Sequence, residues 1–191
     1  MTEITDGALI IIDVQNDFCP GGALAITRGD EVVPVINGLS GRFSDCILTQ
    51  DWHPQGHQSF ASSHPGREPF ESVTAAYGEQ VLWPEHCVQG TDGAQFHREL
   101  VTEGAAVILR KGFRATIDSY SAFYENDRST PTGLTGYLRS RGINNLYFAG
   151  LATDFCVAFS ALDACREGFR VAIVEDACRG IDLDGSLDDA W

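Results

Sequence analysis

ALIIIDV, residues Ala8–Val14, is an apolar run interrupted only at Asp13. It is far too short for a bilayer span, which takes about 20 apolar residues. It also lacks the alternation of a strand with one wet face, so it reads as a strand covered on both sides, as in a parallel sheet. Four further runs have the same character: Asp45–Leu48, Ala105–Leu109, Leu146–Ala149 and Val171–Val174. Helical stretches lie between them. Thr132–Arg141 puts Leu134, Tyr137 and Leu138 on one face and meets Gly142 as a stop. Thr153–Glu167 is the clearest helix, with Thr153 and Asp154 as N-cap candidates and Gly168 after its end. Asp30–Phe43 is weaker, because Pro34, Gly38 and Gly41 interrupt it. This alternation predicts an α/β sandwich around a parallel sheet.

Residues 50–95 break the rhythm. The segment is rich in Pro, Gly, His and Ser and holds four of the five histidines. A loop this long inside a compact domain is usually functional or disordered. Trp52, Phe60, Phe70, Tyr77 and Trp83 argue against disorder. The 191 residues are read as one domain, 1–191, carrying this segment as an insertion. A net charge of −14 argues against nucleic acid or an anionic membrane as partner, since both repel an acidic surface. The six cysteines form no C-x-x-C pair, and the N-terminus lacks the basic start of a signal peptide, which points to free thiols in the cytoplasm.

Polar residues punctuate the apolar runs. Asp13 closes the first, Asp51 follows CILTQ, Lys111 follows AAVILR, and Cys156 comes shortly after LYFAG. Ligands of open parallel sheets bind outside the carboxyl ends of the strands, so four such endings on one edge point to a site. Cys156 falls in the first turn of the Thr153 helix, where the helix dipole and free N–H groups favour a thiolate. Position alone leaves open that it is a buried packing residue. Cys165 and Cys178 have no such context and are read as structural. Asp13 is placed to exchange a proton with the thiol, and Lys111 to steady the charges around it. In DWHPQGH and WPEHC, Asp51, His53, His57 and His86 form a carboxylate–imidazole set of the kind that holds Zn²⁺, Fe²⁺ or Mn²⁺. Asp182, Asp184, Asp188 and Asp189 lack a calcium-loop pattern and read as a solvated surface.

Taken together, IIIDVQNDFCPGGAL, TQDWHPQGHQSF, LWPEHCVQGTDGAQFH, LRKGF with DSYSAF, and GLATDFCV resemble the nicotinamidase/pyrazinamidase branch of the isochorismatase-like cysteine hydrolases, from about Ala8 to about Ile181. The resemblance implies a three-layer α/β/α fold with a six-stranded parallel sheet. It implies hydrolysis of nicotinamide to nicotinic acid and ammonia in NAD salvage, with pyrazinamide as a second substrate. Asp13, Lys111 and Cys156 would be the catalytic trio. One divalent ion, zinc ahead of iron or manganese, would be held by Asp51, His53 and His86, and His57 matches a position that ligates in some members and neighbours water ligands in others. A cis peptide would precede Ala152, the Ala152 and Cys156 N–H groups would form an oxyanion hole, and Phe18, Trp83, Tyr120 and Ala152 would line the substrate pocket. Members include monomers and homo-oligomers. The family's last helix and strand would follow Trp191. A related small-amide or carbamoyl amidohydrolase would use the same trio, and the Asp51, His53, His86 set argues against it. A metal-binding or thiol-sensing module without turnover has no supporting feature in the sequence.

Overall fold

The computed structural model describes residues 4–191. The chain runs β1 (Ile4–Ile12), α1 (Val32–Ser40), β2 (Phe43–Asp51), β3 (Ser72–Ala75), β4 (Gly78–Val81), β5 (Ala105–Lys111), α2 (Leu134–Ser140), β6 (Asn145–Leu151), α3 (Ala158–Arg166), β7 (Arg170–Arg179) and α4 (Ser186–Ala190). Five of the strands form one parallel sheet in the order β5-β2-β1-β6-β7, and β3 and β4 form a separate antiparallel hairpin. Ile10 of β1 lies opposite Ile47 on one side and Phe148 on the other.

β1 is the central strand, which explains its unbroken apolar run. Leu9 and Ile11 enter the core that contains Val32, Val33 and Ile36 of α1. Ala8, Ile10 and Ile12 enter the opposite core, with Leu134 and Leu138 of α2 and Ala161 and Ala164 of α3. The three layers are therefore α1, the sheet, and α2 with α3. Pro34 does not break α1 because it falls in the first turn, where backbone N–H groups have no helical acceptor.

Five strands are described where the family resemblance implies six. The described residues close with the short α4. The segment 50–95 is also more ordered than a plain loop, since it contains the β3–β4 hairpin. Among the described residues no helix is long and apolar enough to cross a membrane.

The Thr153–Glu167 helix departs from expectation at its start. Thr153–Val157 forms a wider π-helical turn before α3, and no side chain caps it. The Asp154 carboxylate turns to the following segment instead, accepting from Ile181 N at 2.9 Å, Asp182 N at 2.7 Å and Ser186 Oγ at 2.6 Å. Gly150, just before this turn, has φ of +122° and lies so close to β1 that a Cβ would stand 2.1 Å from Ile12 O. Only glycine fits there.

Candidate active site and metal cluster

β1, β2, β5 and β6 end on the same edge of the sheet, and the polar residues picked out by the sequence gather there. Lys111 is the last residue of β5 and pairs in register with Asp51 at the end of β2. It is fully buried, although Ile108 of the same strand is 49% exposed. Burying an ammonium is costly unless counter-charges answer it. Here Lys111 Nζ lies 2.7 Å from Asp13 Oδ2 and 2.5 Å from Asp51 Oδ1, and donates to Ser119 O at 2.9 Å. These anions outweigh burial and hold the lysine well above its ordinary pKa, so it remains an ammonium.

Asp13 leaves β1 with φ of +46°, an uncommon value for a side-chain-bearing residue. Its Oδ1 accepts from Thr49 Oγ1 at 2.6 Å, and its backbone N–H donates to the same hydroxyl at 3.1 Å. Thr49 was not singled out in the sequence. Burial raises the Asp13 pKa to about 6, Lys111 pulling it back and Asp51 adding to the rise.

Cys156 sits in the π-helical turn. Its Sγ is 3.4 Å from Lys111 Nζ, and a carboxylate oxygen of Asp13 and one of Asp51 come within 4.8 Å of it. Burial pushes the thiol well above its usual pKa, and the opposing pull of Lys111 does not compensate. Burial thus opposes the pull toward a thiolate that a helix start exerts, which suits the proton exchange with Asp13 that the sequence suggests. Of the other cysteines, Cys178 is buried, whereas Cys165 is exposed and is not a core residue.

Asp51, His53 and His86 also come together, each offering a donor atom within 4.8 Å of the others. His86 Nδ1 donates to Pro84 O at 2.8 Å, leaving Nε2 free to face Asp51 Oδ2 at 3.8 Å. His53 Nε2 is taken by Asp118 Oδ1 at 3.1 Å, and His53 Nδ1 is buried with no hydrogen-bond partner. An orphaned buried acceptor is costly without water or an ion. One carboxylate oxygen and two imidazole nitrogens thus fit a divalent cation. His57 is placed differently. Its Nδ1 lies 2.7 Å from Ser59 Oγ and its Nε2 2.8 Å from Arg114 O, so both ring nitrogens are engaged.

Phe18, Trp83, Tyr120 and Ala152 line a narrow cavity over Cys156, together with Leu24, Phe155 and Ile181, which the sequence reading missed. Trp83 Nε1 donates to Tyr120 OH at 3.1 Å, and the Trp83 and Phe155 rings meet edge to face at 4.9 Å. The free volume is about 20 Å³, room for one water. The Leu151–Ala152 peptide is cis. Asp118 is a further residue at this cavity that the sequence reading did not pick out, although it opens the DSYSAF run.

Residues 7–190 match the isochorismatase domain model. A nicotinamidase of Acinetobacter baylyi is 52% identical over 191 residues, covering 100% of this chain and 89% of that protein. The solved structure of a nicotinamidase/pyrazinamidase of Acinetobacter baumanii is similar with a TM-score of 0.96 at 57% identity, covering 97% of this chain and 90% of the other. That of a pyrazinamidase of Pyrococcus horikoshii in complex with zinc is similar with a TM-score of 0.75 at 35% identity, covering 97% and 92%.

Proposed function

The chain belongs to the isochorismatase family, and from that premise we propose that it hydrolyses nicotinamide to nicotinate and ammonia through a thioester on Cys156. The observation that carries this reading is the buried Cys156 thiol on the floor of an aromatic-walled cavity, 3.4 Å from the Lys111 ammonium and within 4.8 Å of the Asp13 carboxylate.

A carboxylate with a pKa of about 6 is ionised at neutral pH and still basic enough to work as a general base. Asp13 takes the thiol proton as Sγ attacks the amide carbon. The carbonyl oxygen becomes an oxyanion, held by the Ala152 and Cys156 N–H groups. Collapse re-forms the carbonyl and breaks the C–N bond, and the Asp13 proton goes to the departing nitrogen, which leaves as ammonia. A water then attacks the thioester and gives its proton to Asp13. The C–S bond breaks, the sulfur takes back its proton from Asp13, and nicotinic acid leaves and loses its own proton to solvent as nicotinate. Lys111 stays an ammonium throughout, balancing Asp13 and Asp51 and facing the sulfur as negative charge develops there.

Asp51, His53 and His86 would hold one divalent ion, zinc ahead of iron or manganese, on the segment 50–95 of a single domain. When bound, the ion would supply a Lewis acid at the edge of the cavity. Phe18, Trp83 and Tyr120 hold the flat ring. Pyrazinamide carries a ring nitrogen in the same relation to its carboxamide and is a second substrate. Six free thiols suit the reducing cytoplasm.

The test is ammonia release from nicotinamide by the zinc-loaded protein. Cys156→Ala lowers the rate by at least about 10⁴-fold, the scale on which nucleophile loss is felt in other hydrolases. A chelator lowers it reversibly. A zinc-loaded wild type that releases no ammonia overturns the nicotinamidase reading, and near-normal turnover in Cys156→Ala overturns the thioester.

A further inference from the structure

We propose that Asp118, held in place by Gln80, is a positioning residue that presents His53 Nδ1 to the divalent ion. The proposal rests on the reading of Asp51, His53 and His86 as metal ligands.

An imidazole binds a metal through one nitrogen, and the group on the other decides which nitrogen is available. Asp118 and His53 are both buried, at 2% and 1% exposure. A carboxylate accepts and does not donate, so the 3.1 Å contact from His53 Nε2 to Asp118 Oδ1 places the ring hydrogen on Nε2. The lone pair then falls on Nδ1, the nitrogen without a hydrogen-bond partner. Ligand and support thus face opposite sides of one ring.

Asp118 is itself fixed at both oxygens. Oδ1 also accepts from Ser119 N at 2.8 Å, and Oδ2 accepts from Gln80 Nε2 at 2.9 Å. Gln80 is buried on β4. Its Oε1 accepts from Tyr77 OH at 2.9 Å and Asn126 Nδ2 at 3.3 Å, which fixes the amide with its nitrogen toward Asp118. The same nitrogen reaches Tyr120 OH at 3.0 Å. The β3–β4 hairpin therefore anchors a metal-ligand support and a wall of the cavity through a single amide, and so keeps ion and substrate wall in register.

The experiment measures zinc affinity by competition with a chromophoric chelator, alongside the visible absorption of the cobalt-substituted protein. Wild type is compared with Asp118→Ala, Asp118→Asn, Gln80→Ala and, as a control on the ligands, His86→Ala. Removing a carboxylate behind a ligating histidine typically weakens metal binding about 10–100-fold. That loss is expected in Asp118→Ala, with an altered cobalt spectrum. Asp118→Asn, isosteric but neutral, loses several-fold, and Gln80→Ala a similar amount. If wild type binds no zinc, or His86→Ala binds it unchanged, the ligand reading fails. If wild type binds, His86→Ala does not, and folded Asp118→Ala matches wild type in affinity and spectrum, the role of Asp118 is overturned. Should Asp118→Ala not fold, unchanged affinity and spectrum in Asp118→Asn overturn it instead.

Discussion

Lys111 and His53 stand near the ends of neighbouring strands, one pairing with Asp51 in register and the other two residues beyond it. Their surroundings differ. Around Lys111 the charge is answered from within the protein, by Asp13 at 2.7 Å and Asp51 at 2.5 Å, with Ser119 O as a further acceptor. Around His53 one nitrogen is satisfied by Asp118 and the other has no partner. In the first cluster the buried cation has its counter-charges beside it, Asp13 Oδ2 meeting Lys111 as an ion pair without a hydrogen bond. The second leaves a buried acceptor that a bound ion would satisfy. A site built the first way contributes to the fold, whereas one built the second way draws its last stabilisation from a ligand.

The sharpest way to break this comparison is Lys111→Met. It removes the cation and leaves Asp13 and Asp51 buried beside each other. Losing one member of a buried pair typically costs about 3–5 kcal/mol, which urea unfolding would read as a lower midpoint. Two close carboxylates cannot both stay ionised, so Asp13 ceases to be a base at neutral pH and turnover falls at least about 10²-fold. A variant as stable as wild type would mean that Lys111 is not the counter-charge the trio depends on. Removing the ion with a chelator should leave the urea midpoint far less affected.

A smaller effect comes from pH. The Asp13 pKa is raised from 3.8 to about 6 by burial, Lys111 opposing. A general base works deprotonated, so kcat/KM rises with pH up to about 6, tenfold per unit on the acid side, and is level above it. A divalent ion at Asp51 adds positive charge nearby and moves this limb to lower pH, so apo and zinc-loaded profiles, where both are active, should differ in that direction. A rise continuing into the alkaline range would assign the titration to the Cys156 thiol and make a preformed thiolate the nucleophile.

The sheet was legible in its apolar runs, and the meeting of Asp13, Asp51 and Lys111 was legible because each closes or closely follows one of them. Asp13 and Lys111 are poorly explained as surface charges after strands of that composition, and the structure buries both completely. Cys156 was marked by its place after the LYFAG run. A helix start favours a thiolate, and burial reverses that preference. Gln80, Asp118 and Thr49 were invisible because their roles depend on partners 38, 65 and 36 residues away. No local pattern marks such pairs. The hairpin was missed for a related reason: SVTA and GEQV are short and half exposed, so their composition resembles the loop around them. Asp154 has the residue type and place of an N-cap, and the π-helical turn spends its carboxylate on residues 181–186 instead.

The mildest test acts on the second cluster through the backbone of the first. Gly112 follows Lys111 with φ of +66°, and a Cβ there would stand 2.8 Å from His53 Nε2. Gly112→Ala therefore adds two strains at once. Alanine at positive φ destabilises by somewhat more than about 1 kcal/mol, and the methyl group presses on the ring nitrogen that faces Asp118. The imidazole must tilt, so Nδ1 loses its aim and zinc affinity drops toward the 10-fold end of the range for supporting contacts. Chelator competition and thermal unfolding of the apo protein separate the two effects. A lower midpoint with unchanged zinc affinity would show that His53 tolerates displacement, and the contrast between a self-sufficient cluster and one that needs its ring held in place would lose its physical basis.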